Sequence, residues 1–336
     1  MSQAKKNLYF ISFLQFIGPI FVILGHAKNG LPYNDFLQGM RTFIYVFHMP
    51  LFFFISAYLF SYKGGLEKSS YKDFIKKKFW RLLFPYVVLN LICLIPKILL
   101  SSFVQDNMET SVSNFINLWI NPRANILGHL WFLFALFEIY LLAPIWSYVI
   151  KKNSKAIWIL ILVISVILRF LTPTTDILAI NDLMRNLLFF IIGMWFGKIS
   201  VEKLERNTNK KNFIMYIGLY AISLILWILY NNNITTTILC TITLIILLKL
   251  PIIFKIQNSI INNLAKYSYT IYILHWPVML IVRILGYQIL HINYLLIALI
   301  MVLAGYFVPL IVIKGYTLIK KKFNKEFKLI YYLLGM

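Results

Sequence analysis

His26 ends the run Gln15-Phe16-Ile17-Gly18-Pro19-Ile20-Phe21-Val22-Ile23-Leu24-Gly25-His26, which is apolar apart from its two ends. An imidazole titrates near neutral pH and can take a proton from a hydroxyl. Placing one in an apolar membrane segment is costly, so an ionisable group there carries a functional expectation. The simpler alternative is an interfacial histidine stabilised at a helix C-terminus. Gln15 and His26 are eleven residues apart. That spacing puts them on one helix face about 16 Å apart along the axis. They can line one cleft without touching. Gly18-Pro19 between them predicts a kink that turns backbone groups toward a cavity.

Other residues can join such a site. His48, in Phe47-His48-Met49-Pro50, starts a second apolar run from the same side as His26. Glu138 sits in the middle of an apolar run, where a carboxylate needs a partner or a wet cavity. Both are candidates to orient or pair with His26. His275, in Leu274-His275-Trp276-Pro277, is a candidate to contact substrate, with packing beside the proline as the plain alternative. Arg41, Trp131 and Tyr272 complete the substrate candidates. His129, in Gly128-His129-Leu130-Trp131, reads as an interfacial-belt residue, and so does His291. Lys77, Lys78 and Arg81 form a basic cluster able to hold phosphates, the arginine in bidentate fashion. No metal-ligand spacing, Gly-rich phosphate loop or nucleophile elbow is present.

The elements that must carry these residues follow from composition. Sixty per cent of the chain is apolar and only 13% is charged, about half the charged fraction of a soluble domain. The sequence predicts an all-α, polytopic membrane helix bundle with about ten spans. They cover approximately 8–27, 41–62, 82–100, 129–150, 156–172, 183–199, 212–230, 234–250, 267–286 and 292–313. With both termini cytoplasmic and sides alternating, 26 of the 33 Lys and Arg fall on the inner side. The outer side keeps Lys28, Arg41, Lys97, Arg123, Arg169, Arg185 and Arg283.

The net charge of +22 is thereby explained as an orienting signal facing anionic lipid, and nucleic-acid binding is not expected. The first run follows Lys5 and Lys6 but is too long for a signal-peptide core and lacks a cleavage site, so it is expected to stay. Cys93 and Cys240 lie in apolar runs and are not expected to pair. One integral domain over 1–336 is expected, with no appended soluble domain. The outer segment 101–128, carrying Asp106, Glu109 and Arg123, can cap an external cavity. Segment 63–81 reads as an amphipathic helix leading into the third span.

Several stretches together resemble the integral-membrane acyltransferase family, the acyltransferase 3 group that O-acylates bacterial polysaccharides. They are Val22–His26, Phe47–Ser56, Lys77–Tyr86, His129–Leu133 and Ser268–His275, in family order and spread over most of the chain. The resemblance implies transfer of an acyl group, usually acetyl from cytoplasmic acetyl-CoA, to a glycan hydroxyl. No permanently bound cofactor is implied, because acyl-CoA is a donor substrate. The resemblance assigns the essential catalytic role to His26, as general base or acyl carrier. It assigns the donor phosphates to Lys78 and Arg81, with Lys77 adjacent and Gln15 along the donor path. The family usually has arginine where this chain has Gln15, and Ser-Gly where it has Ser56-Ala57. Implied partners are membrane lipid, acyl-CoA, a glycan or lipid-linked sugar acceptor, and envelope-assembly proteins. The implied location is the bacterial cytoplasmic membrane. A glycan transporter without transfer chemistry, and a structural subunit of an envelope complex, are the alternatives.

Overall fold

The computed structural model describes residues 8–99, 112–171 and 177–335. Every regular element among them is a helix. The first half contains α1 (Tyr9–His26), α2 (Asp35–Tyr45), α3 (His48–Tyr62), α4 (Tyr71–Lys78), α5 (Phe84–Leu99), α6 (Val112–Ile120), α7 (Trp131–Leu141) and α8 (Ala143–Lys152). The second contains α9 (Lys155–Phe170), α10 (Ile180–Lys198), α11 (Val201–Arg206), α12 (Lys210–Tyr230), α13 (Asn233–Ile253), α14 (Ser259–Ala265), α15 (Ser268–Arg283), α16 (Tyr294–Phe323) and α17 (Lys328–Leu333).

Each of the ten apolar runs is helical, but they are not equivalent. Seven form helices long and apolar enough to cross a membrane. An eighth crossing requires α7 and α8, bent by 59° at Leu142, to act as one span. The other two runs form α9, only 16 residues long, and α10, whose first turn carries Asp182. Both were drawn as spans from apolarity alone. The first is short for a hydrocarbon core of ~30 Å.

Exposure shows that the medium is lipid. On α12, Ile222, Ile225, Ile228 and Leu229 are all exposed, and Leu303, Phe307 and Ile311 are exposed on α16. Apolar faces that large are untenable in water and are solvated by acyl chains. The protein is therefore a multi-pass membrane protein. Lipid supplies little hydrophobic drive between helices, so close packing must hold them. The tightest example joins α3 to α10. A Cβ on Gly193 would lie 2.4 Å from the Phe54 carbonyl oxygen, and one on Gly197 would lie 2.6 Å from that of Tyr58. This small-xxx-small pair lets the two backbones touch.

Breaks in the helices fall near the candidate residues. Val46 and Phe47 separate α2 from α3, so that His48 begins a helix. A π-helical turn, Phe79–Leu83, joins α4 to α5 and contains Arg81. A 3-10 turn, Gly128–Leu130, brings His129 into α7. In contrast, α1 runs from Gln15 to His26 as one continuous helix through Pro19.

Candidate active site

A cavity of about 900 Å³ opens among α1, α3, α4, the π turn, α7 and α15. Its volume lies in the range of small-molecule sites. Gln15, Lys77, Lys78 and Arg81 all line it, so the four expected donor-binding residues are brought together. Lys63, Lys68 and Lys266 join them, making six cations with no carboxylate in the lining. The sequence reading counted Lys63 and Lys266 only as orienting charges, and spacing cannot reveal that distant loops converge here.

Local structure explains how the cations are held. Ser70 caps α4 by accepting a bond from the Asp73 N–H at 3.1 Å. Phe74 on α4 packs against Phe60 and Tyr140, with ring centroids 5.5 Å from each. That contact turns the basic face of α4 inward instead of laying it on the membrane surface. Lys78 Nζ then lies 3.8 Å from the Tyr140 ring centroid and 5.2 Å from that of Phe74. Such cation–π contacts are worth ~0.5–2 kcal/mol. Arg81 lies over the Tyr269 ring at 5.3 Å, and its carbonyl accepts the Tyr269 hydroxyl. Arg81 itself is exposed to the cavity.

Phe52, Phe132 and Tyr272 close the inner end of the cavity. Their rings touch pairwise, at 5.8 Å between the phenylalanines and 5.6 and 5.5 Å from each to Tyr272. Phe52 is seated against Gly18, where a Cβ would come within 2.9 Å of its ring. Behind this septum lies a cluster of imidazoles. His275 is fully buried, 5.4 Å from His26 and 4.9 Å from His129 between ring centroids. Tyr272 is 6.0 Å from both His129 and His275. Tyr272 therefore faces the cationic cavity on one side and the imidazoles on the other.

Each ring is fixed by a hydrogen bond. His26 Nδ1 is 2.9 Å from Asn29 Nδ2 and 3.4 Å from the Tyr45 hydroxyl. His275 Nδ1 is 2.6 Å from the Tyr272 carbonyl, and His129 Nε2 is 3.4 Å from the Ile273 carbonyl. His48 does not touch His26. Its Nδ1 donates to the Ile44 carbonyl at 2.9 Å, and its ring stacks at 4.8 Å on Tyr45, which bridges to His26. Arg41 covers the same tyrosine at 4.9 Å.

Three expectations are revised here. Glu138 lies near the start of α10, one of its carboxylate oxygens is buried without a partner, and among the described residues no hydrogen bond or ion pair joins it to an imidazole. The N-terminus of α10 suits a carboxylate, which explains its place. His129 is a member of the cluster, not of an interfacial belt. Trp131 is buried, 7% exposed, and Tyr272, 1% exposed, meets the cavity with its ring packed against Phe52 and Phe132. Arg123 covers Trp131 at 4.3 Å, and the Tyr272 hydroxyl donates to the His129 carbonyl at 2.5 Å.

A buried polar network, missed in the sequence, positions His129. Asn90 donates to the Tyr86 carbonyl at 2.7 Å and accepts from the Leu127 N–H at 2.7 Å. Asn125 donates to the Tyr86 hydroxyl at 2.9 Å. Arg123 grips Asp182 through two bonds of 2.7 and 2.5 Å. These contacts pin the segment before His129 to α5 and α10. Of the outer segment 101–128, Asp106 and Glu109 lie outside the described residues.

Fold and site together define a polytopic membrane protein with a cation-lined cavity next to an imidazole cluster. The family model for an acyltransferase domain matches residues 8–336, and the chain belongs to this acyltransferase 3 family. It is 29% identical over 202 residues to the nodulation protein NolL of Sinorhizobium fredii (strain NBRC 101917 / NGR234). That match covers 59% of this chain and 50% of NolL, so the chain spans about half the length of this relative. No solved structure matches the chain.

Proposed function

We propose that this protein is a membrane O-acyltransferase that moves an acyl group, acetyl in the first instance, from cytoplasmic acyl-CoA to a hydroxyl of a cell-envelope glycan or lipid-linked sugar. One observation carries the reading: a cavity of donor size, with six cations and no carboxylate, ends at an aromatic septum backed by three imidazoles. The donor's phosphates bind Lys77, Lys78 and Arg81, with Lys63, Lys68 and Lys266 adding to the field. Its thioester arm passes Gln15 and displaces the Phe52–Phe132–Tyr272 septum to reach His26, the residue on which transfer depends. The clustering of cations on these loops supports a cavity that opens to the cytoplasmic side of the bacterial cell membrane, with both termini inside. Envelope-assembly proteins would deliver the acceptor.

The test is acetyl-CoA binding and thioester hydrolysis by purified protein in detergent. Arg81→Ala should lose binding, and His26→Ala should bind but fail to turn over. No binding by folded wild type would overturn the reading and favour a glycan transporter.

A further inference from the structure

We propose that His275 is a second catalytic imidazole, the base that takes the proton of the acceptor hydroxyl, while His26 donates to the oxygen of the thioester carbonyl. This rests on the acyl-transfer reading above and divides the chemistry between two rings.

The hydrogen bonds assign the roles. A main-chain carbonyl only accepts, so His275 Nδ1, 2.6 Å from the Tyr272 carbonyl, carries a proton. In the neutral ring Nε2 is then a lone pair. That nitrogen is buried and has no hydrogen-bond partner. By the same reasoning His129 Nε2 donates to the Ile273 carbonyl, which leaves Nδ1 as a lone pair, also buried and unpartnered. His26 is the reverse case. The amide nitrogen of Asn29 only donates, so His26 Nδ1 accepts and its proton lies on Nε2.

Nothing close by satisfies His275. The Tyr272 hydroxyl is committed to the His129 carbonyl, and the free nitrogen of His129 has no proton to give. A buried acceptor left unmade is costly, and an apolar side chain would avoid the cost. The site instead keeps a basic lone pair 5.4 Å, ring to ring, from an imidazole whose proton is free to donate. An incoming hydroxyl is the donor this arrangement lacks.

The step balances. The acceptor O–H breaks and its proton goes to His275 Nε2. The oxygen bonds to the thioester carbonyl carbon, and His26 Nε2–H donates to the resulting oxyanion. The C–S bond then breaks, the sulfur leaves with the electron pair, and the His275 proton passes to it. The products are the O-acyl ester and free CoA thiol.

The experiment compares two nucleophiles on acetyl-CoA: water, which needs a base, and hydroxylamine, which attacks without one. His275→Asn keeps a donor for the Tyr272 carbonyl and removes the base. Hydrolysis should fall about 100-fold or more, while acetohydroxamate formation stays within about threefold. His26→Ala should lower both reactions. Equal loss with both nucleophiles, or no loss of hydrolysis, in His275→Asn would overturn the proposal. If the Asn variant does not elute as folded protein, His275→Gln is read the same way. Wild type inert toward both nucleophiles would instead refute the acyl-transfer reading itself.

Discussion

Replacing Lys78 with methionine separates charge from shape at the donor cavity. The lysine stem is folded against Phe74 and Tyr140, and its ammonium lies 3.8 Å from the Tyr140 centroid. Methionine fills a similar volume and keeps contact with both rings. The cation–π contribution of ~0.5–2 kcal/mol is lost. It is offset because an ammonium no longer has to be desolvated, so the melting temperature should hold. On the proposed function, what disappears is a charge-assisted hydrogen bond to a donor phosphate, worth ~1.5–3 kcal/mol. That converts to a roughly 10- to 150-fold rise in KM for acetyl-CoA. The phosphates are remote from the reacting carbonyl, so kcat should change little. The assay pairs acetyl-CoA with acetyl-S-N-acetylcysteamine, which has the same thioester and no phosphate. Only the first should suffer. An unchanged KM for acetyl-CoA, or an equal shift with both donors, would refute the placement of phosphate on Lys78.

The packing and the polar network give two more expectations. Gly193→Ala sets a methyl 2.4 Å from the Phe54 carbonyl oxygen, so α3 and α10 must separate. A cost of at least ~1–3 kcal/mol follows from overpacking, read as a lower melting temperature in detergent and absent in Gly218→Ala, whose Cβ meets nothing within 4 Å. Asp182→Ala removes the partner of Arg123. The carboxylate is buried but the guanidinium is half exposed, at 7% and 51% of their side-chain surface. The loss should therefore reach ~1–3 kcal/mol, below that of a fully buried pair. Turnover should fall further than stability explains, because the segment carrying His129 loses its anchor; the ratio of kcat to melting temperature across Arg123 and Asp182 variants measures this.

Apolarity and cation bias made the bundle legible, because a bilayer forces backbone bonds inside each segment and leaves helix as the default. The same signal made spans of α9, whose helix is only 16 residues long, and of α10, whose first half carries Asp182 and Arg185. Gly193-Met194-Trp195-Phe196-Gly197 was readable as a packing motif, but the apolar count passed over it. The histidines were harder. His26, His129 and His275 come from three distant segments, and no spacing rule joins residues that far apart. His129 looked interfacial because it stands at a helix end. Its place is set by Asn90, Asn125 and the Arg123–Asp182 pair, whose partners are each dozens of residues away. Glu138 was legible as a mid-span carboxylate, but its neighbourhood was not: it lies near the start of α10, away from the imidazoles, with one oxygen buried and unpartnered.

The family resemblance implies arginine where this chain has Gln15, and on the proposed donor reading the cavity gives that difference a physical sense. An arginine at this position would bring one fixed charge to the donor path. Here six cations already line the same space with no carboxylate to balance them. Their fields add along the cavity. A seventh charge would raise the repulsion in the empty cavity while adding little to the pull on phosphates nearer Lys78 and Arg81. An amide at Gln15 keeps a donor and an acceptor for the arm of the donor substrate, which is polar and uncharged. On that reading the amide falls where hydrogen bonding matters more than charge, and it leaves the electrostatic work to cations that the fold gathers from the stretch 63–81 and from Lys266.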